Sequence, residues 1–541
     1  MKKKISPKNR AIYENINNEI ELLKKNDLIN SYLGNKGYSI YKVSLNKNII
    51  DFIKSELTVK PFTNNSLVEP NSFPLYQESD KKIYVPRFWG IQIFGNPKVI
   101  KINYGKSINL NFKGCLRKEP VDQEEIVKSY LSHINFYTNL EHNASGSALI
   151  DLKCGGGKTV IGLYICSVLK KKTIIFVHKT FLKNQWIERI TQYLPDAKIG
   201  SIQGQVIDIE DKDIVIAMIQ SISMKSYPES LFDDFGFSIM DEVHHLSSEI
   251  FSNCLRKCTT LYGLGLSATM ERKDGLTHVF KMYLGDVCYK NKAIQSKDDV
   301  LVKAIDYKVL DDDDYNEVLY DYRGNVKHTT MISKVASYEY RTNFILNVIY
   351  NEFKVNPNQQ IILLSQTKNM LNYLYKKIVS DNILTTGYYI GGMKEADLKI
   401  SEKKQVILAT YAMAAEALDI PTLTTLVLAT SKSDIVQAVG RILRMKHANP
   451  LIIDIIDQHE CFLNQFNKRK AFYNEKNYKI IRTNNENYIK YINNVNNNNL
   501  TIDEELWKTL VYKPRNKNNK NNKNNTLNID ISDTNEHVCL I

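Results

Sequence analysis

The sequence predicts an α/β protein: two tandem parallel-sheet domains, a small N-terminal accessory module and a partly disordered C-terminal tail. Three observations predict it. Continuous apolar runs alternate with helical patterns in two successive sets, the signature of parallel strands covered on both faces. A glycine-rich loop separates the first such run from the first helix of the first set. The chain has 541 residues, 43% of them hydrophobic and 24% charged, a globular composition long enough for about three or four domains.

Residues 1–115 read as the accessory module, partly β. Ile16 to Leu28 has the spacing of an amphipathic helix. Alternating pieces follow at Tyr38 to Val43, Ile83 to Val85, Trp89 to Phe94 and Val99 to Ile102, punctuated by Pro86, Gly90, Gly95 and Pro97. Trp89 and Phe94 are expected in its core. Residues 116–292 form the first α/β domain, with strands at Ala148 to Ile150, Thr173 to Val177, Asp213 to Ala217, Phe237 to Met240 and Leu261 to Leu266. Helices run from Val160 to Leu169 and through Leu182, Trp186 and Ile190, with Trp186 in the core. Residues 293–345 read as a connector with some order of its own, and its acidic run Asp311 to Asp314 as a solvated turn. Residues 346–475 form the second α/β domain, with strands at Ile361 to Leu364, Tyr388 to Ile390, Val406 to Ala409, Leu426 to Ala429 and Leu451 to Ile453. Residues 476–541 are a C-terminal extension. Ile480 to Ile492 has a helical pattern, whereas Asn493 to Asn499 and Lys513 to Asn525 cannot bury enough apolar area to fold.

The composition also excludes classes. No stretch approaches the roughly 18 apolar residues of a membrane span. The basic start, Met1 to Pro7, has no apolar core behind it, so a secretory signal is not expected. Cys539 is third from the end of the sequence, so a prenylation box is not expected. The eight cysteines include no C-x-x-C pair. Cys254 and Cys258 lie one helical turn apart without a second ligand pair, so buried thiols are expected there and zinc is not. A formal charge of +13 favours a polyanionic partner.

The chemistry concentrates in Asp151-Leu152-Lys153-Cys154-Gly155-Gly156-Gly157-Lys158-Thr159. A strand, a glycine loop, Lys-Thr and a helix make a phosphate-binding arrangement. Glycines let main-chain N–H groups converge on phosphate oxygens, and the helix start adds partial positive charge. Lys158 reaches the outer phosphates and the Thr159 hydroxyl ligates Mg²⁺. The strict spacing has glycine where Leu152 stands. Cys154, beside a helix start, is a candidate for a depressed pKa and redox sensitivity. A second constellation is the strand Phe237 to Met240 ending in Asp241-Glu242-Val243-His244. An acid at that strand end faces the phosphates, so Asp241 would hold Mg²⁺ and Glu242 would be general base.

These residues carry a resemblance. Asp241-Glu242-Val243-His244 resembles the DEAH-type box of superfamily 2 helicases. Leu266-Ser267-Ala268-Thr269 resembles their Ser-Ala-Thr motif, and Gln437-Ala438-Val439-Gly440-Arg441-Ile442-Leu443-Arg444 their Q-x-x-G-R-x-x-R motif. Val177 to Trp186 is similar to motif Ia of XPB- and UvsW-related helicases. Ser267 to Leu276 and Glu416 to Pro421 look most like helicases of large cytoplasmic DNA viruses, the poxvirus transcript-release helicase among them. Two departures stand out: Ala417 replaces the usual glycine, and Arg117 and Gln123 are further apart than the family's Arg-x-x-Gln.

The resemblance implies two RecA-like domains and an ATP-dependent helicase using ATP and Mg²⁺. It implies a 3′-to-5′ DNA motor of viral transcription or transcript release, cytoplasmic or virion-associated, partnered by nucleic acid and the viral transcription machinery. It gives Gln437, Arg441 and Arg444 contact with the γ-phosphate, and Ser267, Ala268, Thr269 and Asp419 the coupling of hydrolysis to motion. Gln123 is the candidate adenine contact. Lys179, Thr180, Gln220, Ser221, Gln366 and Thr410 each sit just after a predicted strand end and are candidate contacts to nucleic-acid phosphates. An RNA helicase shares these motifs. A nucleotide-gated binding protein with vestigial turnover is the alternative from another class.

Overall fold

The structure, a computed structural model, describes residues 7–62, 71–119, 121–134, 146–152, 155–243, 249–268, 270, 275–291, 300–416, 420–442, 450–495 and 506–510. The low-complexity run Lys513 to Asn525 lies outside them. By contact the chain divides into two compact units: residues 1–297 with 387–423 and 436–447, and residues 298–386 with 424–435 and 448–541.

The accessory module is a five-stranded sheet in the order Gln77–Glu78, Lys82–Val85, Gly37–Tyr41, Ser31–Gly34, Val99–Ile100. Its helices are Pro7–Lys25, Lys47–Glu56 and Arg87–Phe94. The third corrects the strand expected at Trp89 to Phe94: Pro86 precedes its first turn, and Gly95, at φ 84°, ends it. Trp89 and Phe94 do lie in the core. That core continues into Leu276 and Val279, at the start of the helix Thr277–Leu284 of the next domain. Arg87, 3% exposed, reaches the same neighbour and donates from Nη1 to the carbonyls of Thr260 (3.2 Å) and Leu261 (3.1 Å).

Two eight-stranded sheets follow, and their strands are numbered here in chain order. The first holds β1 (Ser147–Asp151), β2 (Thr173–Val177), β3 (Ile199–Gln203), β4 (Val206–Asp208), β5 (Ile214–Met218), β6 (Phe237–Asp241), β7 (Tyr262–Ser267) and β8 (Val287–Lys290). Their order is β4-β3-β5-β2-β6-β7-β1-β8, and only the β3–β4 pair is antiparallel. The central strands are fully buried because helices cover both faces. Register then decides what meets what. Ser267 pairs with Asp151 across β7 and β1, and Asp241 with Leu266 across β6 and β7. The strand end before the glycine loop, the acidic pair and the Ser-Ala segment therefore share one edge of the sheet.

The second sheet holds β9 (Leu301–Tyr307), β10 (Ile361–Ser365), β11 (Thr386–Tyr389), β12 (Val406–Thr410), β13 (Thr425–Leu428), β14 (Leu451–Asp457), β15 (Lys479–Asn484) and β16 (Lys508–Leu510). Their order is β11-β12-β10-β13-β14-β9-β15-β16. Three readings are corrected here. The expected connector supplies β9, which lies between β14 and β15, parallel to both. Its acidic run is solvated as expected, with Asp311, Asp313 and Asp314 exposed, but it opens a short helix, Asp313–Asn316, with the Asp312 side chain accepting from the Tyr315 N–H. The helix expected at Ile480 to Ile492 is instead β15 followed by the helix Asn485–Val495, which also takes in Asn493, Asn494 and Val495. No described helix is long and apolar enough to cross a membrane.

Candidate active site

The site starts where β1 gives way to the glycine loop. Leu152 stands at the position where the strict spacing has glycine. Its side chain is fully buried, and its N–H donates to the Ser267 carbonyl at 2.8 Å. The loop folds over that side chain: a Cβ on Gly156 would meet Leu152 Cγ at 2.6 Å. Leu152 thus gives the loop an apolar floor and makes glycine obligatory at 156. Gly157, at φ 83°, holds the left-handed turn into the helix Lys158–Leu169. The first N–H groups of such a helix have no partner within it and suit an anion.

Gln123, 3% exposed, holds the loop from the other side. Its Oε1 accepts from the Arg117 N–H at 2.9 Å, and its Nε2 donates to the Gly156 carbonyl at 3.1 Å. The adenine contact expected of this side chain therefore has both polar ends already engaged by main chain.

Lys158 opens the helix, and its Nζ donates to Glu242 Oε1 at 2.6 Å. Consecutive side chains on a strand point to opposite faces, yet both Asp241 and Glu242 feel Lys158. The backbone explains it. Glu242 sits at φ 51°, in the left-handed region, so the chain turns as soon as β6 ends. Asp241 is 7% exposed and accepts the indole N–H of Trp186 at its Oδ2, 3.0 Å away. Burial first, and then the neighbouring Glu242 charge, push the Asp241 carboxyl up to about 6; Lys158 and the Trp186 bond pull the other way. Trp186 is in the core as expected, but its bond to Asp241 was missed. A buried indole N–H needs an acceptor, and that was the available signal.

Thr159 is half-buried in the first helical turn, Val243 is fully buried, Ser267 closes β7 fully buried, and Ala268 follows half-buried. Gly155 is exposed. The helix Val436–Ile442 carries the main chain of Gln437 and Arg441. Lys153, Cys154, His244, Thr269, Asp419 and Arg444 lie outside the described residues, and with Cys154 the redox hypothesis.

Comparison with known proteins gives this arrangement its family. Residues 118–272 match the family described as type III restriction enzyme, res subunit, and residues 343–446 the helicase conserved C-terminal domain. A protein of Acanthamoeba polyphaga mimivirus, named as an ATP-dependent RNA helicase, L396, is 32% identical over 457 residues, 82% of this chain and 85% of its own. This chain is a superfamily 2 helicase. The protein named helicase 161L of Invertebrate iridescent virus 6 is 26% identical, over 81% of this chain and 99% of its own. The DNA 3′-5′ translocase XPB2 of Sulfurisphaera tokodaii is 39% identical over 142 residues, 26% of this chain and 31% of its own. The helicase is an ATP-dependent enzyme with two RecA-like domains.

The candidate strand contacts of the helicase divide by sheet. Lys179 and Thr180 follow β2, and Gln220 and Ser221 follow β5, whose last residue pairs with Val177. Gln220 donates to the His178 carbonyl at 2.9 Å, so these two turns are tied together. Partial burial lowers the Lys179 pKa. In the second sheet, Thr410 closes β12 half-buried, while Gln366 donates to the Ser431 carbonyl at 2.6 Å and shapes its own turn.

Proposed function

We propose that this helicase hydrolyses Mg²⁺-bound ATP to move 3′ to 5′ along a DNA strand, serving viral transcription or transcript release. The observation that carries the hydrolytic part is the Lys158–Glu242 ion pair beside buried Asp241. Thr159 and Asp241 fit Mg²⁺: both offer hard oxygen, and a carboxylate whose charge is disfavoured by burial gains from an adjacent cation. Bound there, Mg²⁺ would offset charge on the β- and γ-phosphate oxygens.

Triphosphate entering the loop draws Lys158 away from Glu242. Glu242 then accepts a proton from the attacking water as the water oxygen bonds to the γ-phosphorus and the bond to the ADP oxygen breaks. Gln437, Arg441 and Arg444 complete the γ-phosphate contacts, as the motif resemblance implies; the described helix Val436–Ile442, which carries the main chain of the first two, falls in the compact unit that carries the loop, which supports this role. Ser267, Ala268, Thr269 and Asp419 pass the change to the strand-holding turns at Lys179, Thr180, Gln220, Ser221, Gln366 and Thr410.

DNA and the direction of movement rest on the 142-residue segment that is 39% identical to the DNA 3′-5′ translocase XPB2 of Sulfurisphaera tokodaii. The name of the mimivirus relative favours a second reading, an RNA helicase. A cytoplasmic or virion-associated place goes with either. Strand displacement on DNA and RNA duplexes with 3′ or 5′ tails separates them. The expected result is ATP-dependent displacement of the 3′-tailed DNA; displacement confined to RNA, or to 5′ tails, would overturn the DNA reading.

A further inference from the structure

The strands that lead into the ATP site border a small cavity at their other ends. It measures about 30 Å³. Ser147 at the start of β1, Ser238 in β6 and Gly263 in β7 line one side; Lys36 and Arg87 of the accessory module line the other, with Arg256 from the helix Glu249–Lys257. Four residue steps of strand, at about 3.3 Å each, separate Ser147 from the loop-side end of β1. The cavity is therefore on the opposite edge of the sheet from the ATP site.

Its chemistry has one sign. Lys36, Arg87 and Arg256 all line it, and among the described residues no Asp or Glu does. The guanidinium of Arg87 is buried so deeply that desolvation drives its pKa down to about 10. Arg256 donates from Nη1 to the carbonyls of Pro74 (3.2 Å) and Tyr76 (3.1 Å), while its buried Nε has no partner. Ser147, 3% exposed, likewise has a buried Oγ without a partner. Neighbouring polar groups are satisfied: Thr260 Oγ1 donates to Ser238 Oγ at 2.8 Å. A buried donor left unmade is costly, so two such donors beside three cations call for an acceptor bearing negative charge.

We propose that this cavity binds a compact phosphate-type oxyanion. Its volume suits a tetrahedral anion or about two waters and is too small for a nucleoside. The phosphate comes either as the free ion or as the terminal group of a nucleic-acid strand. The full chain carrying Lys158→Ala, which silences the phosphate loop, is titrated calorimetrically with inorganic phosphate. It is then titrated with one oligonucleotide bearing a 5′-phosphate or a 5′-hydroxyl. One-to-one phosphate binding is expected, weakened about fivefold or more by adding Lys36→Ala. Ser147→Ala removes only the unpartnered hydroxyl, so the unliganded protein should melt no lower than its parent while phosphate affinity falls. A 5′-phosphate that tightens the oligonucleotide, with the gain erased by Lys36→Ala, identifies the strand end as the source. Free-phosphate binding with no such gain identifies the ion. Absence of binding in both arms, or binding that Lys36→Ala and Ser147→Ala leave unchanged, overturns the proposal.

Discussion

Glu242 is held at φ 51°, a conformation that costs a residue other than glycine roughly 1–2 kcal/mol. That cost buys adjacency, because it brings the proposed base to Lys158 while Asp241 stays on the strand. Glu242→Gln keeps the backbone and the shape but removes the proton acceptor. ATP binding should survive and steady-state hydrolysis should fall about 10²- to 10⁴-fold; near-normal turnover would take the base role from this residue. Asp241 allows a pH test with a definite sign. Its carboxyl sits at about 6 in the fold, above its ordinary value of 3.8. The protonated form is thus the one the fold favours, so this stabilisation is complete below about 4 and lost as pH rises through about 6. In chelator, melting curves should fall across that window, and Asp241→Asn should flatten the fall. Trp186→Phe removes a bond that lowers the pKa, so it should move the acid limb of the ATPase profile upward. An acid limb that stays in place would mean the indole bond does not tune the carboxylate. That Lys158, Asp241 and Glu242 come together was legible, because a glycine loop before a helix and acids at a neighbouring strand end fall at the same end of a parallel sheet. The task of Gln123 was not, since both its partners are main-chain atoms.

Strand, loop and helix around residues 147–169 could be read from the sequence because burial on both faces leaves an unbroken apolar run. β9 could not. Lys303 and Asp306 interrupt its pattern, and their partners lie far along the chain: Lys303 Nζ bonds both oxygens of Glu352 at 2.7 and 2.9 Å, and Asp306 takes Arg482 at 2.9 Å through each oxygen. β15 failed for a related reason, since Ile480, Tyr488 and Tyr491 keep near-helical spacing although the first lies on a strand and the others on the helix after it. The elements of the second sheet are pinned by buried charge. Arg341, fully buried on the helix Glu339–Val355, is bidentate to Asp457 at the end of β14 and donates to the Ala429 carbonyl at 2.8 Å. Arg341→Met alone should cost about 3–5 kcal/mol, since it strands the Asp457 charge, and Asp457→Leu added to it should recover much of that. Denaturant titration of the single and double variants checks this; a mild single variant would mean water reaches the site.

At the scale of the molecule, charge sets the conditions of work. A formal +13 predicts that nucleic-acid affinity falls steeply with salt, with a log–log slope of about −0.7 for every phosphate neutralised on a single strand. Fluorescence anisotropy across a salt series reads this directly, and a flat profile would exclude backbone contacts as the main grip. The accessory module belongs to the same scale, because it shares Leu276 and Val279 with the ATP-binding lobe and plants Arg87 on the carbonyls of Thr260 and Leu261. Those two carbonyls end the approach to β7, the strand that finishes at Ser267. Cutting the chain back to the segments that carry the family signature, from residue 118 onward, would uncover an oily seam and two hydrogen-bond acceptors at once. The piece so obtained should clump rather than hydrolyse, and a minimal motor of this protein starts well upstream of its motifs.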